Sequence, residues 1–207
     1  MKNRAELAYL KEPFLEYVEQ KDVQVDEIDL YDENRNYLRT IYRGQKIDSN
    51  EWKKCILCFV IDKKGKVLVE RKDYEKDMCS GHIKHYEVAT QAVIRELYEE
   101  LGINIEESIT SKYLGNIKID RKRTNGELQC FLDVYCLFRT HDTYRTDNNE
   151  IKSTETISFR EFIKKFTNNE IFPHVSDIKE YLDIIEKLIE LYAQKFEKRK
   201  THQVIER

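Results

Sequence analysis

Four glutamates and one arginine recur at fixed spacing in the stretch 81–103, GHIKHYEVATQAVIRELYEELGI. On a helix with about 100° of rotation per residue, Glu96, Glu99 and Glu100 stand at positions i, i+3 and i+4 and share one face. Carboxylates at this spacing repel one another, and Arg95 alone cannot neutralise them. Carboxylate oxygens bind hard cations such as Mg²⁺, which bridge to phosphate groups. The stretch therefore predicts a divalent-metal site that acts on a diphosphate.

A run of charges is most often solvated surface, but the spacing of this run is more specific than that. The stretch contains Gly81, Glu87 after five residues and, after seven more, Arg95-Glu96-Leu97-Tyr98-Glu99-Glu100-Leu101-Gly102-Ile103. This pattern is similar to the Nudix box at every fixed position. The resemblance implies the Nudix fold, a mixed β-sheet between helices, and a metal-dependent hydrolase of diphosphates linked to another moiety, most often a nucleoside diphosphate derivative.

The resemblance also implies a role for each residue of the box. The residues expected to bind the metal ion, Mg²⁺ or alternatively Mn²⁺, are Gly81 (through its main-chain oxygen), Glu96, Glu99 and Glu100. Glu87 resembles the glutamate that supports the metal cluster. Arg95 resembles the residue that orients these carboxylates by charge-assisted hydrogen bonds. Gly102 is expected to end the helix, where a positive φ is easy for glycine.

The general base and the phosphate contacts are less defined by the pattern. Glu96 and Glu100 are the favoured candidates for the general base. With Glu87 and Arg95 they make up the expected catalytic residues. Two later carboxylates beside a weak strand are further candidates for the base, namely Glu150 and Glu155. Four residues around the box loop are candidates for binding substrate, although surface positions are the default for such side chains: Arg71, Lys72, His82 and His85.

One residue of the box loop departs from the family pattern. Many members have a glycine just before the first glutamate of the box, and this chain has Tyr86 there. If the loop requires a positive φ at this position, tyrosine adopts it at a cost of about 1 kcal/mol or more. Either the loop differs from that of other members, or Tyr86 contributes to the pocket.

Two alternative functions stay open. The sequence Cys79-Ser80-Gly81-His82 resembles isopentenyl diphosphate isomerase of the same superfamily, which uses a catalytic cysteine and a histidine-rich metal site. Cys79, however, lies one residue from the expected offset, and residues 50–58 contain no histidine, only Glu51. The second alternative is a non-catalytic nucleotide-binding Nudix sensor. Such proteins commonly lose carboxylates of the box or carry a DNA-binding domain, and neither feature is present.

The elements that must position these residues follow from hydrophobic periodicity, which predicts an α+β (mixed α/β sandwich) fold. An amphipathic helix is predicted at 4–20 and a β-hairpin at 25–31 and 37–42. A central strand at 52–61, a strand at 67–71 and a loop containing Asp77 lead to the box. A long hairpin follows at 113–120 and 128–139, then a weak strand at 151–159 and helices at 161–166 and 176–196. We expect a single domain over 1–207, with an extension at about 1–45, the Nudix core at about 50–196 and a charged tail at 197–207.

Composition limits the class of protein. The 207 residues include 36 Lys and Arg against 39 Asp and Glu, a net charge of −3, which argues against a nucleic-acid partner. The chain lacks the long apolar run of a membrane span and the apolar stretch of a secretory signal. Five dispersed cysteines are typical of reduced thiols. We therefore expect a cytoplasmic homodimer whose partner is a small-molecule diphosphate substrate.

Overall fold

A computed structural model of the chain describes residues 26–71, 76–104, 108–123, 126–139, 144, 151–171, 178 and 181–192. Several predictions lie outside these residues: the helix at 4–20, the hairpin turn at 124–125, Lys72, Glu150 and the tail at 197–207. The stretch 81–103, which contains the box, is described throughout.

The described strands and helices follow the predicted order. The strands are β1 (Glu27–Tyr31), β2 (Tyr37–Tyr42), β3 (Trp52–Ile61), β4 (Lys66–Arg71), β5 (Lys76–Asp77), β6 (Cys79–His82), β7 (Ser108–Arg123), β8 (Gly126–Arg139) and β9 (Ser153–Ser158). The helices are α1 (Ala89–Leu101), α2 (Phe159–Thr167) and α3 (181–192). The predicted hairpin β1–β2, the central strand β3 and the box helix α1 are confirmed, and the later hairpin β7–β8 is longer than predicted.

The segment just before the box is where the prediction was wrong. The loop predicted there contains two short strands. Strand β5 pairs with β4, and β6 pairs antiparallel with β3, which aligns Gly81 with Ile56 and Cys79 with Cys58. The sequence CSGH has a central glycine and no apolar alternation, so pairing with the central strand, rather than local propensity, makes it a strand.

Within the described residues, nine strands form one mixed sheet centred on β3. Strand β3 pairs antiparallel with β1, β4 and β6, and parallel with β8 over residues 53–61. Strand β9 pairs with β4, and β7 pairs with β8. Because β1 pairs with β3 through Leu30 and Lys53, the N-terminal hairpin extends the same sheet and lies next to the box loop.

The core lies on both faces of this sheet, because successive side chains of a strand point to opposite faces. One face of β3 carries Leu57, Phe59 and Ile61, which share a cluster with α2 and α3 through residues such as Phe162 and Ile185. The other face packs against α1; this cluster includes Ile56, Cys58, Val60, Val93, Leu97 and Leu101. The predicted sheet between helices is confirmed. Among the described residues, no helix has the length and apolar character to span a membrane.

Candidate active site

Helix α1 brings the acidic residues of the box to one cavity. Glu96 and Glu100 are buried, with 8% and 2% of their surface exposed, whereas the side chain of Glu99 is 48% exposed. The opposite side of the helix is apolar and packs against the sheet. The helix ends at Gly102, whose φ of 62° lies in the left-handed region, and its N–H donates to the carbonyl of Tyr98. This is the helix end expected from the sequence.

The guanidinium of Arg95 is the centre of the site. It is 3% exposed and makes five hydrogen bonds. Nε and Nη2 donate to the two carboxylate oxygens of Glu87 at 2.9 and 3.0 Å. Nη1 donates to Glu96 at 2.6 Å and to Glu99 at 3.0 Å, and Nη2 also donates to the carbonyl of His82 at 2.8 Å. Because the guanidinium presents its donors in a rigid plane, it fixes three carboxylates and the box loop relative to one another.

Gly81 permits the closest approach in the site. It lies in β6, and a Cβ added to it would overlap the Oε1 and Cδ atoms of Glu96 and stand 2.7 Å from its Cγ. No other residue type has room at this position unless Glu96 moves. The neighbouring Ser80 N–H donates to Glu100 at 3.2 Å. The strand β6 therefore holds two carboxylates of α1 from the side facing the sheet.

Burial changes the protonation of two side chains in the site. Burial raises the pKa of Glu96 to about 7; the charge of Arg95 opposes this shift, and the charges of Glu100 and Glu99 add to it. Burial also lowers the pKa of His82 to about 3, and the neighbouring charges of Lys53, Arg43 and Arg95 lower it further. Glu96 is therefore a carboxyl group that titrates near neutral pH, while His82 is neutral there.

A second set of donor atoms lies beside Glu100 and was not found from the sequence. Glu70 of β4 and Cys79 of β6 are buried, and one ligand atom from each lies within 4.8 Å of the others and of a Glu100 oxygen. In the sequence, Glu70 is one charge in the strand VLVER, so nothing distinguishes it. The two carboxylates supply oxygen donors of the kind that a hard divalent cation prefers, whereas the thiol of Cys79 is a soft donor.

Glu96, Glu99 and Glu100 line a cavity of about 370 Å³. Its lining also includes His82 and three cations, Arg43, Lys53 and Lys84. Apolar side chains from β1, β3, β7 and β8 complete the lining and include Ile28, Leu57, Ile119 and Leu132. The volume is in the range of small-molecule sites. Asp77, which the sequence placed in a loop without a role, also lines this cavity.

Two residues of the box loop, His85 and Tyr86, do not line the cavity. His85 Nδ1 lies 2.7 Å from Oδ1 of Asp29 in β1, and its ring contacts that of Tyr86 at a centroid distance of 3.6 Å and an interplanar angle of 45°. Tyr86 has a φ of 64° and is 90% exposed. The positive φ that the family pattern suggested is therefore present, and Tyr86 adopts it with its side chain in solvent rather than in the cavity.

Of the candidates outside the box, Glu155 has a described side chain. Arg71 is the last residue of β4, with its side chain outside the described part, and Lys72 and Glu150 lie wholly outside it. Glu155 of β9 is ion-paired with Lys76 and, at 3.9 Å, with Lys165, and it lines a different cavity. Of the two substrate-binding candidates whose side chains are described, His82 lines the site and His85 does not.

The described geometry agrees with comparisons to known proteins. The family model described as NUDIX domain matches residues 52–176, more than half of the chain. The chain belongs to the Nudix family. Its box residues stand in one site, and it is a Nudix-type hydrolase that acts on pyrophosphate bonds. Members of this family generally use a divalent metal ion.

Solved structures of Nudix proteins share the fold. The crystal structure of DR0079 from Deinococcus radiodurans is similar with a TM-score of 0.59 and 20% identity, over 77% of this chain and 98% of that chain. A MutT protein from Methanosarcina mazei is similar with a TM-score of 0.50 and 16% identity, over 66% and 94% of the two chains. None of the curated proteins matches this chain. At these identities, the likeness extends to the fold and not to the substrate.

Proposed function

We propose that the chain is a Mg²⁺-dependent hydrolase that cleaves the diphosphate linkage of a nucleoside diphosphate derivative or a related organic diphosphate. The observation that carries this proposal is the five hydrogen bonds of Arg95, which hold Glu87, Glu96 and Glu99 in fixed positions beside the buried Glu100. Buried carboxylates held at a cavity in this way suit a divalent cation that itself contacts phosphate.

The residues proposed to hold the metal ion are the carboxylates of the box, Glu96, Glu99 and Glu100, with the main-chain oxygen of Gly81. Mn²⁺ suits the same oxygen donors. When bound, the ion neutralises charge on the phosphoryl oxygens and acidifies the attacking water. The protein's own part is to keep these carboxylates in place through Arg95, β6 and the buried end of α1. Glu87 serves this positioning through its bidentate pair with Arg95.

The proton of the attacking water is proposed to go to Glu96 or Glu100. Both carboxylates line the cavity and both are buried. Burial raises the pKa of Glu96 to about 7. Glu155 is less suited, because it is exposed, paired with lysines and lines a different cavity. Separate Glu96→Gln and Glu100→Gln variants with pH–rate profiles distinguish the two assignments.

The isomerase alternative is disfavoured by the state of Cys79. This residue is 2% exposed and does not line the cavity. Burial, together with the charges of Glu100 and Glu70, raises the pKa of its thiol well above the ordinary value. A cysteine that protonates a substrate must reach it. The sensor alternative is disfavoured by the complete set of box carboxylates around Arg95.

Three further properties belong to the proposal. A single domain over 1–207 is supported by the pairing of β1 with β3, which joins the N-terminal hairpin to the matched region. A homodimer is supported by the exposed Tyr37, Leu38 and Tyr42 on β2, the end strand of the described sheet. A cytoplasmic location is supported by five free cysteines. Light scattering of the full chain tests the dimer.

The experiment that tests the proposed activity is a screen of nucleoside diphosphate derivatives and other organic diphosphates, with and without Mg²⁺. The wild type is expected to release phosphate products from at least one class only when Mg²⁺ is present, and Glu99→Gln and Glu100→Gln are expected to be impaired. Activity retained in both variants would refute the metal-site assignment. Isopentenyl diphosphate is included, because an isomerase product keeps both phosphates. Tight binding without turnover would favour the sensor.

A further inference from the structure

The cavity contains a cation cluster that the box does not account for. We define it as Arg43, Lys53 and Lys84, which come from the turn after β2, from β3 and from the segment after β6. All three line the same cavity as Glu96 and Glu100. Two groups of opposite charge therefore line one small-molecule site.

Lys53 is the member of this cluster that is ready to bind an anion. It is half-buried, and its strand partner Cys130 also lines the cavity. Within the part of the chain that the structure describes, the side chain of Lys53 makes neither a hydrogen bond nor an ion pair. Partial burial of a cation without a counter-charge is unfavourable. An anionic group of a ligand in the cavity would supply that charge.

Asp26 holds the other two members of the cluster. Its Oδ1 lies 2.8 Å from Nζ of Lys84, and its Oδ2 lies 3.6 Å from Nη1 of Arg43. The hydrogen bond from Lys84 is the main cause that lowers the pKa of Asp26. Among the described residues, these three cations and one carboxylate sum to two positive charges. His82, which lies near Lys53 and Arg43, is neutral and adds no charge.

One member of the cluster, Arg43, lies outside the matched domain, whereas Lys53 and Lys84 lie within it. Asp26, Ile28 and Arg43 line the cavity but precede residue 52, where the match to the family begins. The N-terminal hairpin therefore adds charge and surface to a site whose carboxylates come from the box. Residues that come from outside the matched domain are suited to selecting the substrate rather than to breaking the bond.

We propose that Lys53, with Arg43 and Lys84, forms a subsite for a second phosphate group, carried by the moiety that the diphosphate links. The proposal rests on the proposed function, because it takes the scissile diphosphate to lie at the box carboxylates. The substrate class is then a diphosphate compound with a further phosphate monoester or anhydride at its other end. Such a dianion matches the two net positive charges of the cluster.

The first test compares substrates that differ by one phosphate on the linked moiety: NADPH with NADH, and coenzyme A with dephospho-coenzyme A. With Mg²⁺, the wild type is expected to favour the phosphorylated member of a hydrolysed pair by about tenfold or more in kcat/KM. Lys53→Met is expected to reduce that preference to within about twofold by raising KM. Arg43→Met, at the exposed rim, is expected to reduce it in part. Lys46→Met is the matched control, because Lys46 is 88% exposed and does not line the cavity.

A wild type without preference in the pairs it hydrolyses would overturn the subsite. The subsite would also be overturned if Lys53→Met lowered kcat/KM by the same factor for both substrates of a pair, since Lys53 would then bind the scissile diphosphate. If the wild type hydrolyses none of these compounds, the proposed function is contradicted for them. The subsite is then tested by phosphate binding. Calorimetry with inorganic phosphate, without divalent metal, is expected to show binding that Lys53→Met weakens about fivefold or more and that Lys46→Met leaves unchanged. Equal binding by wild type and Lys53→Met would overturn the subsite.

Discussion

Gly81 and Glu96 lie so close together that a Cβ on residue 81 would occupy the position of the Glu96 carboxylate. One residue belongs to β6 and the other to α1, so this contact fixes the distance between the short strand and the box helix. The glycine at the start of the box is therefore required by packing, in addition to the role of its main-chain oxygen that the family resemblance implies.

Substitution Gly81→Ala should displace Glu96 and lower kcat. A shift of about 1 Å in a catalytic group is enough to cost about 100-fold in rate, and we expect a loss of that order in steady-state assays at saturating Mg²⁺. Gly44→Ala is the control, because a Cβ there meets nothing within 4 Å, although its φ of 95° adds backbone strain. A Gly81→Ala enzyme with wild-type kcat would contradict the assigned role of Glu96.

Substitution Arg95→Lys keeps the positive charge but removes the planar set of donors. Lysine cannot hold Glu87 in a bidentate pair while also reaching Glu96 and the carbonyl of His82. We expect the free energy of unfolding in urea to fall by about 3 kcal/mol, since a buried network is broken, and kcat to fall by about 100-fold or more.

The matched control for this variant is Arg39→Lys. Arg39 makes a bidentate pair with Glu51, with both distances at 2.7 Å, on the hairpin and outside the cavity lining. This change should lower stability to a smaller extent and leave kcat unchanged. If both variants kept full activity, the geometry imposed by Arg95 would not be needed for the reaction.

The stability of the metal-free protein should depend on the titration of Glu96. Folding raises the pKa of this residue to about 7 from its ordinary 4.5. The resulting stabilisation is fully present below the unfolded pKa and is lost as the pH rises through the folded pKa. We expect the wild type in EDTA to lose roughly 2–3 kcal/mol of unfolding free energy relative to Glu96→Gln between about pH 4.5 and about pH 7.5.

Urea titrations of both proteins across this pH range measure the difference. Glu161→Gln, a change at an exposed glutamate of α2, controls for the general effect of removing a charge. Parallel pH dependence of wild type and Glu96→Gln would show that Glu96 titrates at its ordinary pKa in the folded state. The assignment of a raised pKa to Glu96 would then be wrong.

Replacement of Cys79 by alanine distinguishes hydrolysis from isomerase chemistry. The thiol is buried beside Cys58 and does not line the cavity, so we expect hydrolysis within about threefold of wild type and a stability loss of about 1 kcal/mol. Cys136→Ala, in the cluster on the other face of the sheet, should behave in the same way. Loss of turnover by Cys79→Ala alone, with the fold intact, would make the cysteine part of the chemistry.

The sequence contained enough information to predict most of the sheet and the box helix. Alternation defined β1, β2 and β3, and the fixed spacing of the box defined α1 and its acidic face. Strand β6 was missed because Cys79–His82 has no strand pattern of its own and is shaped by pairing with β3. The local strand propensity of a segment does not predict such pairing.

The cation cluster could not be predicted for a related reason. Arg43, Lys53 and Lys84 are far apart in the chain, and each is one charge among many in a sequence with 36% charged residues. They share a cavity only because β1 pairs with β3 and β3 pairs with β6. Glu70 was missed because a buried carboxylate in a strand looks the same in sequence as an exposed one. The box could be recognised in the sequence because its residues, unlike the cations and Glu70, lie close together in the chain at fixed spacing.

The most direct test of the account is the kcat/KM of Glu100→Gln at saturating Mg²⁺ on the best diphosphate substrate, compared with Glu155→Gln. Glu100 is 2% exposed in the site, and Glu155 is an exposed carboxylate of β9 that lines a different cavity. We predict a loss of about 1,000-fold for Glu100→Gln, and activity within about twofold of wild type for Glu155→Gln. A Glu100→Gln enzyme that keeps wild-type activity would contradict the assignment of the box carboxylates as the metal and catalytic centre.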